Sequence, residues 1–548
     1  MESADGNLII VYNGEIYNYL SLRNELEHLG SSFQSKSDTE VILESFRVWG
    51  PSAFVKFEGI FAFALLDKVQ NQLYLVRDPV GVKPLYYFLD RNELLFASEV
   101  RAFTSLNRNW EQNRNWTIHF LAFGSIPFPF TTLEKVVQLK PGSYLKLNIS
   151  DFTWVKIQYH SFAEASGTET SRVQAFNDVR AALEQAISKN LLADVPVGIF
   201  VSGGVDSSLL AMLADRMIDN VRTLSVNFDQ QRFDEHDYQH AVLENTQNTE
   251  HISHRVSEHM FWQQLPDIWR GMDQPSIDAI NSFFIARCAK LEGIKVTLSG
   301  LGADEIFGGY KSFQRVKWLS WIRRIPNLKF WAKLAGAYKK SHGRLSDLKM
   351  SWPVGDYLFL RGIFTPTEIA EHLGISENEV WAALRQIAVE APKGLTCEEY
   401  ASFLENTFYL PNQLLKDADY MGMWHGIEIR VPYLDVKLMK KVFSISSIVR
   451  FDNSCPKYLL TASHLKLLPA KILFRKKMGF TFPFEVWLKN HGEAFRAMMS
   501  KAMPAQLVFG NFMKGREHWS RPWSLAVMEQ FGGKIQTKKS NWKLPDAA

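Results

Sequence analysis

Cysteine is scarce: Cys288, Cys397 and Cys455 are the only three in 548 residues, and no two of them form a CxxC pair. So sparse and odd a set argues against a disulfide framework and a cysteine-rich zinc centre, and a reducing, cytoplasmic setting is the expectation. Long apolar runs are missing too. Nowhere do about 18 apolar residues follow one another, so neither a transmembrane helix nor a membrane partner is expected. Met1 to Gly6 lack the basic and apolar regions of a signal peptide. There is little excess of charge, since 62 Lys and Arg stand against 58 Asp and Glu, and no nucleic-acid partner is expected from that balance. No GxxxxGKS/T loop occurs, which disfavours a Walker-type kinase or GTPase. What the chain does have is ordinary apolar content, 46%, in a length that one core does not organise, given a ceiling of about 250–300 residues. At least two domains are predicted.

The first part reads as antiparallel β structure. Leu8 to Tyr12 is a strand-forming run that stops at the turn signal Asn13-Gly14, and residues 16–29 carry apolar positions at helical spacing. Phe61–Leu66 with Leu73–Val76, and Leu85–Phe88 with Leu94–Phe96, read as two hairpins. Periodicity fades between about 150 and 172, which places the domain limits at 1–150 and 173–548. Beyond it helix and strand alternate: helix 173–192, strand Val195–Val201, helix 207–218, strand Val221–Phe228, helix 234–247 and strand Ile294–Leu298. That grammar predicts a doubly wound parallel sheet, with mostly helical chain from about 312 onward.

Two loops carry chemistry. Ser202-Gly203-Gly204-Val205-Asp206-Ser207-Ser208 lies between a predicted strand and a predicted helix, where glycines let the backbone approach an anion and helix-start N–H groups point at it. Ser202, Ser207 and Ser208 add hydroxyl donors, and Asp206 beside phosphates makes sense as a Mg2+ ligand. The plain alternative is a glycine turn with a serine helix cap. Ser299-Gly300-Leu301-Gly302-Ala303-Asp304-Glu305-Ile306-Phe307-Gly308-Gly309-Tyr310 follows another strand and offers Asp304 as a second carboxylate.

The first loop resembles the SGGxDS loop of ATP pyrophosphatases, and the second is similar to the SGxGxDExFGGY signature of asparagine synthetases. The likeness continues through Asp194–Gly198, Phe233–Glu235, Glu428–Asp435 and Arg475–Phe480. It implies that Ser202, Gly203, Gly204, Val205, Ser207 and Ser208, with Ser299 and Gly300, hold ATP, and that Leu224 to Val226 meet its adenine end. By the same resemblance Lys457 neutralises phosphate charge, and Asp206 and Asp304 bind Mg2+. Leu301 stands where well-studied relatives have glutamate, and Gln274–Asp278 also departs from the commoner pattern, so the acid need not be aspartate.

Asn13-Gly14-Glu15-Ile16-Tyr17-Asn18 resembles the NGEIYN signature of class II glutamine amidotransferases, and Arg77–Tyr87 a second segment of the same domain. That likeness implies an oxyanion hole from Asn13 and Gly14, with Glu15 and Asp38 holding the glutamine α-amino group. The family's nucleophile is an N-terminal cysteine, whereas the first cysteine here is Cys288. Glutaminase activity is therefore not expected of these residues.

The fold implied is α/β and α+β: an antiparallel Ntn-type glutaminase sandwich, incomplete, followed by a doubly wound ATP-pyrophosphatase domain with extra helices. The function implied is an asparagine-synthase-like ligase. It would turn a carboxylate, aspartate first, into its amide through an acyl-AMP intermediate, with ammonia or, in full-length relatives, glutamine as nitrogen source. A homodimer is compatible with the resemblance. An intramolecular cyclase of the β-lactam-synthetase or lasso-cyclase kind, and a non-catalytic member binding partners through the basic, aromatic stretch Val316–Lys340, stay open.

Overall fold

Strand β1 (Leu8–Ile16), with Leu8, Ile10 and Ile16 buried, lies beside β2 (Gly59–Asp67), which is buried almost throughout, and together they start the N-terminal half. The computed structural model describes residues 1–162, 167–322, 345, 348, 353–452, 454–475 and 479–536. With β3 (Gln72–Arg77), β7 (Ser143–Asn148) and β8 (Trp154–Gln158), these strands form one antiparallel sheet in the order β1-β2-β3-β7-β8. A smaller sheet runs β5-β4-β6, from Glu93–Ala97, Tyr86–Asp90 and Val136–Gln138. Both expected hairpins are present, β2–β3 and β4–β5. The aromatic core under β1 includes Phe54, Phe61, Phe63 and Tyr74, packed edge-on and stacked.

One reading is corrected here. Asn13-Gly14 is not a turn: β1 runs through it, and Gly14 pairs with Phe61. Glycine is required for another reason, because a Cβ on Gly14 would stand 2.0 Å from the Ile60 carbonyl oxygen. The N-terminal sheet also extends past residue 150, since β8 pairs with β7.

The second half is a parallel sheet in the order β11-β10-β9-β12-β13, formed by Thr249–Arg255, Val221–Asn227, Val197–Phe200, Val296–Leu298 and Glu428–Arg430. All four pairings are parallel. The strand order reverses between β9 and β12, and in open α/β sheets ligands bind in the crevice beyond the strand ends at such a point. Helices Arg172–Asn190, Val205–Asp215 and Val436–Phe443 bury one face with β9 and β12. Helix Ala279–Leu291 covers the other, against Leu224 and Ile427. Helix His236–Leu243 is shorter than the 234–247 expected. Most of the Val316–Lys340 stretch, residues 323–340, lies outside the described residues, as do Lys476, Lys477 and Met478. Among the described residues no helix is long and apolar enough to cross a membrane.

Polar pairs join the two halves. Lys83, after β3, meets Asp419 of helix Leu415–His425 at 3.2 Å, with side chains 3% and 7% exposed. Asp273 accepts the Val100 and Arg101 N–H groups at 2.9 and 2.8 Å. Removing one partner of a buried ion pair typically destabilises by about 3–5 kcal/mol, because the other charge stays desolvated. Lys83→Met should therefore lower the denaturation midpoint strongly, and adding Asp419→Leu should restore most of the loss. Equal midpoints for the single and double variants would show that this pair does not hold the halves together.

Candidate active site

The two glycine loops leave the carboxyl ends of adjacent strands. Ser202 follows β9 and opens helix Val205–Asp215, while Ser299 follows β12 and opens the short helix Ala303–Phe307. The first loop is tied to itself, with Ser207 Oγ accepting the Ser202 N–H at 3.1 Å and lying 3.1 Å from Ser202 Oγ. Tyr433 donates to the Asp206 carbonyl at 2.9 Å, which fixes the first helical turn.

Across the mouth of these loops lies Lys457. Its ammonium pairs with Asp206 and sits 2.7 Å from Asp304. Burial opposes the charge on Lys457, but the two carboxylates outweigh it and hold the ammonium above its usual pKa. Gly309 packs against this group so closely that a Cβ there would fall 1.5 Å from Asp304 Oδ1 and 2.7 Å from Lys457 Cε. A second buried pair, Arg475 with Glu235, backs the first loop. Arg475 also donates to the Ser202 carbonyl at 3.2 Å and lies 4.0 Å from the centre of the Tyr238 ring. Burial raises the Glu235 carboxyl, with Arg475 opposing.

These groups line a cleft of about 750 Å³, a size typical of small-molecule sites. Of the residues expected at the nucleotide, Ser202, Gly204, Val205, Asp206, Ser207, Leu224, Val226, Ser299, Gly300, Asp304 and Lys457 all face it. Gly203 and Ser208 do not. Gly203 backs onto Tyr238, and Ser208 is fully buried inside its helix with Oγ unpaired. Ser208 follows Ser207 by one residue, which on a helix rotates its side chain by roughly 100° away from the cleft. Arg475 and Glu235 fell within matching segments, yet nothing in their local sequence told that they pair across the fold.

The N-terminal candidates form a separate group. Asn13 Nδ2 donates to Ser98 Oγ at 3.1 Å, and Asp38 accepts from Tyr12 Oη at 2.7 Å and the Ile16 N–H at 3.0 Å. Glu15 reaches the other half, with Oε2 3.5 Å from the Arg430 guanidinium on β13. Burial pushes the Glu15 carboxyl up to about 7; Asp38 adds to the shift and Arg430 opposes it.

A parallel sheet with two glycine loops at its switch point, a lysine bridging their carboxylates and an antiparallel amidotransferase-like half beside them define a two-part nucleotide-cleft enzyme. The Asparagine synthase family model matches residues 178–544, and the Glutamine amidotransferase domain model matches residues 1–160. Asparagine synthetase (glutamine-hydrolyzing) 1 of Bacillus subtilis (strain 168) is 31% identical over 499 residues, 88% of this chain and 77% of the relative. Asparagine synthetase (glutamine-hydrolyzing) 3 of the same organism is 27% identical over 500 residues, 86% of this chain and 75% of the relative. The chain belongs to the asparagine synthase family.

Two outcomes test this geometry. Gly309→Ala should displace Asp304 and lower turnover sharply while global stability falls by about 1–3 kcal/mol, the usual range for overpacking. Unchanged turnover would mean that Asp304 has room to move. Glu15 supplies a pH test. A carboxyl raised from 4.5 to about 7 on folding favours the folded state at low pH, and that contribution is lost as pH rises through the folded value. Glu15→Gln should therefore gain melting temperature relative to wild type between about pH 4.5 and about pH 8. A gap that stays constant across this range would show that Glu15 titrates normally.

Proposed function

We propose that this chain is an ATP-dependent amide ligase that activates a carboxylic acid as its acyl-adenylate and transfers ammonia to it, with release of AMP and pyrophosphate. The observation that carries this reading is Lys457 held between Asp206 and Asp304 at the mouth of two glycine loops. Ser202, Gly204 and Ser207, with Ser299 and Gly300, supply the anion cradle, and the buried wall of Leu224 and Val226 suits an adenine ring. Asparagine synthetases, by their name, make asparagine, and aspartate is the first acid to test.

The site suits Mg2+. Two carboxylates converge where a cation, the Lys457 ammonium, already fits. Among the described residues no set of three or more acidic, His or Cys side chains could hold a metal alone, so phosphate oxygens and water would complete the shell, as is common for this ion. When bound, Mg2+ would neutralise charge on the pyrophosphate that leaves. Lys457 would follow the same negative charge from the carboxylates to the phosphates, favouring the transition state over the ground state. Asn13 and Gly14 would stabilise an oxyanion and Glu15 and Asp38 would hold the glutamine α-amino group, but these residues supply no nucleophile of their own, and ammonia supplied directly bypasses that half.

Incubation with ATP, Mg2+, ammonia and a competent acid should release AMP and pyrophosphate in equal amounts. Asp206→Asn and Asp304→Asn should each reduce that release by about 10²–10³-fold, as loss of a charge-stabilising group does elsewhere. Release of ADP and phosphate instead would refute cleavage between the α and β phosphates.

A further inference from the structure

Leu301, Asp278, Asn281 and Tyr409 also line the cleft, and on the ligase reading this part of it faces the acid. Asp278 stands immediately before helix Ala279–Leu291. Its Oδ2 accepts from Tyr409 Oη at 3.0 Å, and its Oδ1 from Asn281 Nδ2 at 3.4 Å. Tyr409 is itself held in place. The Arg361 guanidinium lies 4.0 Å from its ring centre and pairs with Glu405 at 2.8 Å. The π-helical segment Glu405–Leu414, widened around Pro411, carries both Glu405 and Tyr409.

Tyr409 and Asn281 both donate to the Asp278 carboxyl, which keeps acceptor capacity toward the cleft. Burial raises this carboxyl, and the nearby Arg361 charge, itself paired with Glu405, opposes the rise. Asn281 adds another acceptor, since its Oδ1 is buried with no hydrogen-bond partner. The basic groups among the described residues lining the cleft are committed elsewhere: Lys457 to Asp206 and Asp304, Arg475 to Glu235, Lys317 to Glu398. This end therefore offers lone pairs and negative charge, together with the apolar side chain of Leu301. Hydrogen-bond donors on the acid complete such a wall. A second free carboxylate meets like charge there and finds no cation among the described lining residues.

Resting on the ligase reading above, we propose that this pocket takes a monocarboxylic acid bearing hydrogen-bond donors, ammonium or hydroxyl, beside the carboxyl that is activated, and that Asp278 rejects a second free carboxylate. The acid is thus neutral or cationic apart from its reacting group.

The test is pyrophosphate release with ATP, Mg2+ and ammonia, using three probes. L-Aspartate carries a free α-carboxylate, isoasparagine keeps the same skeleton with that group as a neutral amide, and glucuronate supplies hydroxyls in place of the ammonium. Wild type should show kcat/KM at least about tenfold higher for isoasparagine or glucuronate than for aspartate, one factor of ten being about 1.4 kcal/mol of discrimination. Which of the two is preferred tells ammonium from hydroxyl as the donor. Asp278→Lys should move the ratio at least about tenfold toward aspartate, a gain that a damaged fold cannot mimic. Asp278→Asn, nearly isosteric, should level the ratio and covers the case in which the lysine variant fails to fold. A wild type that prefers aspartate, or an ATP-binding Asp278 variant with an unmoved ratio, overturns the proposal and leaves the ligase reading standing. Pyrophosphate release from none of the acids with any of the proteins refutes the ligase reading, and this inference with it.

Discussion

Two carboxylates and one ammonium, drawn from three distant stretches of chain, hold the nucleotide end of this protein together. Asp206 comes from the helix after β9, Asp304 from the helix after β12, and Lys457 from the residue that opens helix Tyr458–Ser463. Lys457 adopts φ 51°, a left-handed conformation costing a non-glycine residue on the order of 1–3 kcal/mol that persists only where surrounding contacts over-determine it. The two ion pairs supply that determination. They also hold close two carboxylates that would otherwise repel across the loop mouths, so the lysine shapes the resting cleft.

That arrangement explains what could be read from the sequence and what could not. The glycine loops were legible because their information is local: a strand, a glycine-rich turn and a helix start follow one another within a dozen residues. The long strands and both hairpins were legible as apolar, strand-forming runs bounded by polar turns. Strand β13, only three residues long, has too few positions to show a period, and β11 sits at the sheet edge with Ile252 as its one apolar residue, so no apolar run marks it. Asn13-Gly14 misled because the dipeptide is a strong turn signal, whereas here close approach of two strands demands the glycine. The Arg475–Glu235 pair and the wall at Asp278 depend on contacts between residues far apart in sequence, which no local pattern announces.

The halves are joined by directional bonds between buried groups rather than by a broad apolar face alone. Arg430 shows how this works. From β13 it donates to the Asn190 and Leu192 carbonyls at 3.0 and 2.6 Å, pairs with Glu428 at 2.7 Å, and still reaches Glu15 on β1. Its carrier strand is the edge of the parallel sheet, so the acidic residue of the amidotransferase-like half is registered against the sheet that carries the two glycine loops. A buried polar network of this kind tolerates few alternatives, because a shift of one residue leaves several donors unpaired in a low-dielectric setting.

Segment Asp273–Asp278 carries this registration to the cleft wall. Asp273 takes two N–H groups from the N-terminal half, and Gln274 Oε1 accepts the Thr132 N–H at 3.2 Å. Two residues on, Ser276 donates to Asp417 at 2.6 Å, and two further on Asp278 faces the cleft. Six consecutive residues thus answer to the amidotransferase-like half at one end and to the cleft at the other. Ile277 continues the link, its N–H bonded to the Gly124 carbonyl at 3.1 Å. A segment pinned so often over so short a length has little freedom to move one end without the other. The cleft wall at Asp278 is therefore positioned by the same contacts that seat the amidotransferase-like half, so its chemistry changes more readily through side chains on that segment than through a shift of its backbone.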